Sequence, residues 1–206
     1  DIEFQLVRGQ RLFIERIDIE GNSQTLDRVI RREFEVVEGD PFNRRKVQEA
    51  ADRIRALGFF ARVDVDSREG SAPDQVIIDV SVEETTTGTL GFGLGYGTDD
   101  GLSGNVTLSE DNFLGRGQQL SFTISTASEN RNLAFSFTEP RLFDRELLGG
   151  LSAYYTTIDL DDVQYSIRRA GFVPRVGFPL GEYADIELSY LVENVKIDVD
   201  AGASPL

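Results

Sequence analysis

Residues 88–98 read Gly-Thr-Leu-Gly-Phe-Gly-Leu-Gly-Tyr-Gly-Thr. In an extended strand, successive side chains point to opposite faces. Leu90, Phe92, Leu94 and Tyr96 therefore share one face, and Gly91, Gly93, Gly95 and Gly97 share the other. One face is wholly apolar and the other is bare. A strand in a water-soluble core packs both faces or turns polar groups to solvent. This one suits lipid on one side and an open, wet space on the other. Each glycine also gives up chain entropy and packing, so the strand is weak.

The segments that follow repeat the alternation. Leu102, Val106 and Leu108 share a face in residues 101–110, and Asp111–Gly117 reads as a turn. Leu120, Phe122 and Ile124 alternate with Ser121, Thr123 and Ser125, and Leu133, Phe135 and Phe137 alternate with Ala134, Ser136 and Thr138. Polar turns are expected at 129–131 and 139–141. Residues 147–158 and 166–178 give two further strands, and Phe178-Pro179-Leu180-Gly181 reads as the next turn. Ile186, Leu188, Tyr190 and Val192 then oppose Asp185, Glu187 and Ser189. About seven strands, apolar on one face and polar on the other, form the dyad pattern of a transmembrane barrel. A soluble β-sandwich also alternates, but here the facing positions are Ser, Thr, Gly and Ala rather than Lys or Glu. Arg169 and Arg175 share a parity opposite to Arg168; charge is costly on a lipid face, so both are expected to face the lumen.

Upstream of Glu84 the chain has a different character. Residues 11–20 form a strand closed by Gly21-Asn22. A helix is predicted next, with Thr25 as N-cap and Leu26, Val29, Ile30 and Phe34 on one face. Gly39-Asp40-Pro41 breaks it. A second helix starts near Asn43, buries Val47, Ala50, Ala51, Ile54 and Leu57, and stops at Gly58. Two strands, Phe59–Val65 and Val76–Val82, complete a β-α-α-β-β unit of α+β class. Residues 1–8 read as a strand end of a preceding, similar domain. The expected division is 1–8, 9–86 and 87–206. Asp1 falls in mid-strand, as expected of a mature or truncated start.

Composition narrows the function classes. The 206 residues carry a formal net charge of −15, so nucleic acid, which needs a basic surface, is not an expected partner. With no His and no Cys, the commonest nucleophile–base pairs and zinc sites cannot be built. No enzyme activity, cofactor or metal site is expected. Asp159, Asp161 and Asp162 lack the Gly and terminal Glu of a calcium loop and read as a solvated acidic turn.

Several short segments, in this order and spacing, resemble the BamA family of Gram-negative outer-membrane protein assembly factors. They are Ile17–Asn22, Val29–Glu33, Leu57–Phe60, Gly93–Thr98, Asp111–Gly115 and Gly177–Leu180. The resemblance implies that residues 9–86 are the periplasmic POTRA domain nearest the barrel. It implies that residues 87–206 are the first, incomplete part of a sixteen-stranded barrel in the outer membrane. The family folds and inserts other β-barrel proteins. Its first strand, here Leu90, Gly91, Phe92, Gly93, Leu94, Gly95, Tyr96 and Gly97, is one side of a lateral gate. The expected partners are the lipoprotein BamD and other accessory lipoproteins, unfolded outer-membrane clients, and outer-membrane lipid. The family's docking motif falls on Arg31, Arg32 and Glu33, with Glu33 in the matching position. Two other readings stay open: a POTRA-containing secretion channel or passive pore, and a soluble sandwich binding module.

Overall fold

The computed structural model describes residues 11–98, 101–160, 165–181 and 184–199. The expected tail of a preceding domain, residues 1–8, lies outside these. The chain divides into two units, which meet in sequence between Thr86 and Thr87.

The first unit runs β1 (Phe13–Glu20), α1 (Asp27–Arg31), α2 (Arg44–Ala56), β2 (Phe60–Glu69) and β3 (Gln75–Glu84). Its sheet has the order β1-β3-β2, with β1 parallel and β2 antiparallel to β3. Ile14 and Ile17 have opposite parity, yet both are buried. The register shifts between Ile14 and Arg16, and this bulge returns Ile17 to the helix-covered face. Ile30, Ile54, Ile78 and Val80 form the centre of one core. In α2, Asn43 is the N-cap: its side chain accepts from the Arg45 and Lys46 amides. The buried stripe is Val47, Ala50, Ala51 and Ile54, with Leu57 partly buried against it. Gly58, at φ +74, follows the C-cap in the left-handed conformation that ends many helices.

The first helix departs from expectation. It has only five residues; Leu26, not Thr25, is its N-cap, and no side chain caps it. Thr25 is instead buried, and its amide donates to the Glu84 carboxylate at 2.6 Å. Phe34 is buried beyond the helix end, whereas Leu26 is exposed. The apolar spacing there served a turn packed on the core rather than a longer helix.

The second unit is one antiparallel sheet: β4 (Gly88–Gly97), β5 (Gly101–Phe113), β6 (Gln118–Thr126), β7 (Asn130–Glu139), β8 (Leu148–Leu160), β9 (Tyr165–Gly181), β10 (Ala184–Ser189) and β11 (Val192–Val199). Each strand from β4 to β9 pairs with the next, and β10 and β11 both pair with β9. Across the sheet, one row reads Leu90, Leu108, Phe122, Phe135, Ala153, Phe172, Val192. The adjacent row reads Gly91, Thr107, Thr123, Ala134, Tyr154, Gly171, Glu193. Apolar and polar or small residues thus separate cleanly by face.

All buried apolar side chains lie between Ile14 and Val82; among the described residues the second unit buries none. A soluble sandwich would bury one face of such a sheet, so the sandwich reading is set aside. A broad exposed apolar face marks a surface that lipid or another protein covers, and its alternation with a polar face fits lipid.

Several turn positions differ from expectation. Strand β5 continues to Phe113 through a register shift after Glu110, leaving Leu114–Gly117 as the turn. Strand β7 begins at Asn130, inside the expected turn. Phe178–Gly181 lies within β9, not in a turn. The seventh strand is split in two. Its register is continuous across the break, from Ser189 opposite Arg175 to Val192 opposite Phe172. The Tyr190 amide donates to the Pro174 carbonyl at 3.1 Å, but proline has no N–H to return the bond.

Candidate functional site

Among the described residues strand β4 pairs with β5, over its whole length from Gly88 to Gly97. Three of its apolar side chains are widely exposed: Phe92 is 74%, Tyr96 82% and Leu94 89% exposed. The glycine face is not empty, as the sequence alone suggested. Gly93 lies opposite Asn105 and Gly95 opposite Ser103. A Cβ at Gly93 would collide with the Asn105 amide, and one at Gly95 would come within 2.8 Å of Ser103 Oγ. At Gly91 there is room, with the Thr107 carbonyl oxygen nearest at 3.8 Å. Polar side chains of β5 therefore lean over β4, which from Gly91 to Gly97 offers none in return.

Arg169 and Arg175 lie on the polar face, in register with Thr156 and Gly150 of β8, whereas Arg168 lies on the other face. Arg175 crosses Gly150, where a Cβ would strike its side chain, and donates to Thr138 Oγ1 at 2.6 Å. Tyr154 likewise covers Gly171 and donates to Glu193 Oε1 at 2.6 Å. These large residues over glycines bind neighbouring strands together. Sequence reading missed Tyr154 and Glu193, because only strand register shows a tyrosine facing a glycine. Of the acidic turn, Asp159 belongs to β8, and Asp161 and Asp162 lie outside the described residues.

In the first unit, Arg31 ends α1, Arg32 is its C-cap and Glu33 follows it. Arg31 donates to Glu38 Oε1 at 2.9 Å and to the Ile17 carbonyl at 3.1 Å. The Glu33 side chain is only 11% exposed and lies 3.4 Å from Arg32 Nε. Its carbonyl accepts from Arg53 Nε at 2.9 Å. This corner is tied to the core, and a reversed charge there would disturb the fold as well as the surface. The basic start of α2 is also paired, Arg45 with Glu49 at 3.4 Å and Lys46 with Glu35 at 3.7 Å.

A β-α-α-β-β unit leading into antiparallel strands with one lipid-compatible face is the build of an Omp85-type protein. Residues 12–85 match the POTRA model, described as a surface antigen variable number repeat, and residues 112–205 match the Omp85 superfamily domain. The outer membrane protein assembly factor BamA of Nitratidesulfovibrio vulgaris is 31% identical, over 100% of this chain and 26% of its own length. BamA of Neisseria meningitidis is 28% identical, over 96% of this chain and 26% of its own. The crystal structure of Haemophilus ducreyi BamA lacking POTRA domains 1–3 superposes with a TM-score of 0.76 at 30% identity. It covers 91% of this chain and 37% of that one. CdiB from Acinetobacter baumannii shares the fold, with a TM-score of 0.62 at 13% identity, covering 92% of this chain and 39% of that one. The chain thus joins a POTRA repeat to part of an Omp85 superfamily domain and resembles BamA along its whole length. It spans about a quarter of the length of these two curated relatives. Its strands belong to the bacterial outer membrane and its POTRA domain to the periplasm.

Proposed function

We propose that this protein folds and inserts β-barrel proteins into the outer membrane without enzymatic chemistry, using β4 as one side of a lateral gate. The observation that carries the reading is the composition of β4 itself, glycine at every other position from Gly91 to Gly97 against a wholly apolar opposite face. An opened edge presents N–H and C=O groups that a client strand can satisfy by β-augmentation. Glycines keep the cost of parting and re-pairing low, because from Gly91 to Gly97 β4 adds no side chains to the cross-strand packing on that face.

The test is client assembly by the full-length protein in lipid vesicles. At Gly91 an added Cβ meets nothing closer than 3.8 Å, so Gly91→Val is expected to stiffen β4 with little displacement, while Gly93→Val with Gly95→Val also displaces Asn105 and Ser103. Both variants are expected to slow assembly, and unchanged assembly would overturn the gate. The POTRA domain serves as the docking unit for accessory lipoproteins, with the Arg31–Glu33 corner receiving BamD. Glu33→Lys should weaken that binding more than the near-isosteric Glu33→Gln, at matched melting temperatures. Equal binding would exclude this corner.

A further inference from the structure

Glu110 of β5 and Glu139 of β7 both take apolar-face positions at the same end of the sheet, and Glu110 is the one that lies beside the base of β4. By register, the row Gly88, Glu110, Leu120, Phe137, Leu151 belongs to the apolar face, and Glu110 is its only charged member. Charge on a lipid-facing surface is tolerated near an interface and only when satisfied. The chain enters β4 from the POTRA domain, so this row lies at the periplasmic end. Glu110 is satisfied by a built arrangement: its Oε1 accepts from Thr87 Oγ1 and, at 2.9 Å, from the Asn112 amide. The register shift after Glu110 turns Asn112 back towards it, and Asn112 Oδ1 in turn accepts from the Gly117 amide at 2.8 Å. The Asp111 amide adds a bond to the Thr87 carbonyl at 3.3 Å. Gly88 leaves the space the carboxylate needs, since a Cβ there would stand 2.9 Å from Glu110 Oε2.

We propose that Glu110 is a positioning residue that fastens the periplasmic base of β4 to the β5–β6 turn, so that β4 opens as a hinged flap and stays attached at Thr87–Gly88. The proposal rests on the gate reading and adds where the strand remains fixed. Beyond Thr89, β4 contributes only glycines to the polar face, so looseness increases away from the pin.

The test is hydrogen–deuterium exchange of the full-length protein in phospholipid nanodiscs. Glu110→Ala and Thr87→Val should each speed exchange of residues 87–92 by about tenfold, and the double variant by no more than either alone. Glu110→Gln keeps one acceptor oxygen and should fall between them and the parent protein. Exchange across α2 is the fold control and should not move. Unchanged exchange at 87–92 in Glu110→Ala and Thr87→Val, or fully additive effects, would overturn the pin. The gate reading fails separately: if Gly91→Val assembles clients normally while these variants still speed exchange, the pin stands without the gate. If Gly91→Val slows assembly and exchange does not change, the gate stands without the pin.

Discussion

Glu84 ends β3, and its carboxylate closes the loop before α1. It accepts from Ser23 Oγ at 2.7 Å, the Gln24 amide at 3.0 Å and the Thr25 amide at 2.6 Å. Burial pushes this carboxyl up, but the bonds from Ser23, Thr25 and Gln24 outweigh it and hold the pKa at about 2, against an ordinary 4.5. A carboxyl depressed on folding stabilises fully above its unfolded pKa. That stability is lost as the pH falls from about 4.5 towards 2. The group is partly solvated, so solvent screening leaves a contribution of about 1 kcal/mol. The first unit has a core of its own and can be tested alone. Glu84→Gln is expected to lower its melting temperature at pH 7 by about 4–8 °C, the difference shrinking towards zero by pH 2. Equal melting at pH 7 would show that the clamp contributes nothing.

Among the elements, the split last strand has the most local cause. Pro174 accepts from Tyr190 and cannot donate back, so β10 and β11 are one strand with a single missing rung. Pro174→Ala restores the donor. Exchange across residues 188–193 of the full-length protein should slow about five- to tenfold; an unchanged rate would mean the break has another origin. The same comparison shows how far sequence reading reaches. Strict alternation located the strands of the second unit from β4 to β10 but stopped at Val192, so most of β11 was not read as strand. It misplaced the turns at 111–117 and 178–181, since a bulge or a paired Pro179 depends on the neighbouring strand. Asn43 and Gly58 marked the ends of α2 because caps are local chemistry. The end of α1 was misread because Thr25 is held by a residue 59 positions away. At the candidate site, the glycine face of β4 was legible, but the side chains of Asn105 and Ser103 over it were not. They belong to β5, and only register brings them there.

For the whole molecule, the two units solve opposite burial problems. The first hides Ile14, Ile54, Ile78 and their neighbours in a water-stable core, while the second turns Phe92, Leu94, Leu102 and Phe172 outward. A periplasmic domain and a membrane sheet can therefore lie on one chain. On the proposed reading, client pairing begins at the sheet's first strand. The most direct measurement places a photoreactive phenylalanine analogue at Leu94 in the full-length protein, reconstituted in lipid vesicles with an unfolded barrel client stalled during assembly. The expected result is a client adduct mapping to one terminal strand of that client, at the expense of adducts within the protein's own barrel. Identical intramolecular and lipid adducts with and without client would contradict the gate.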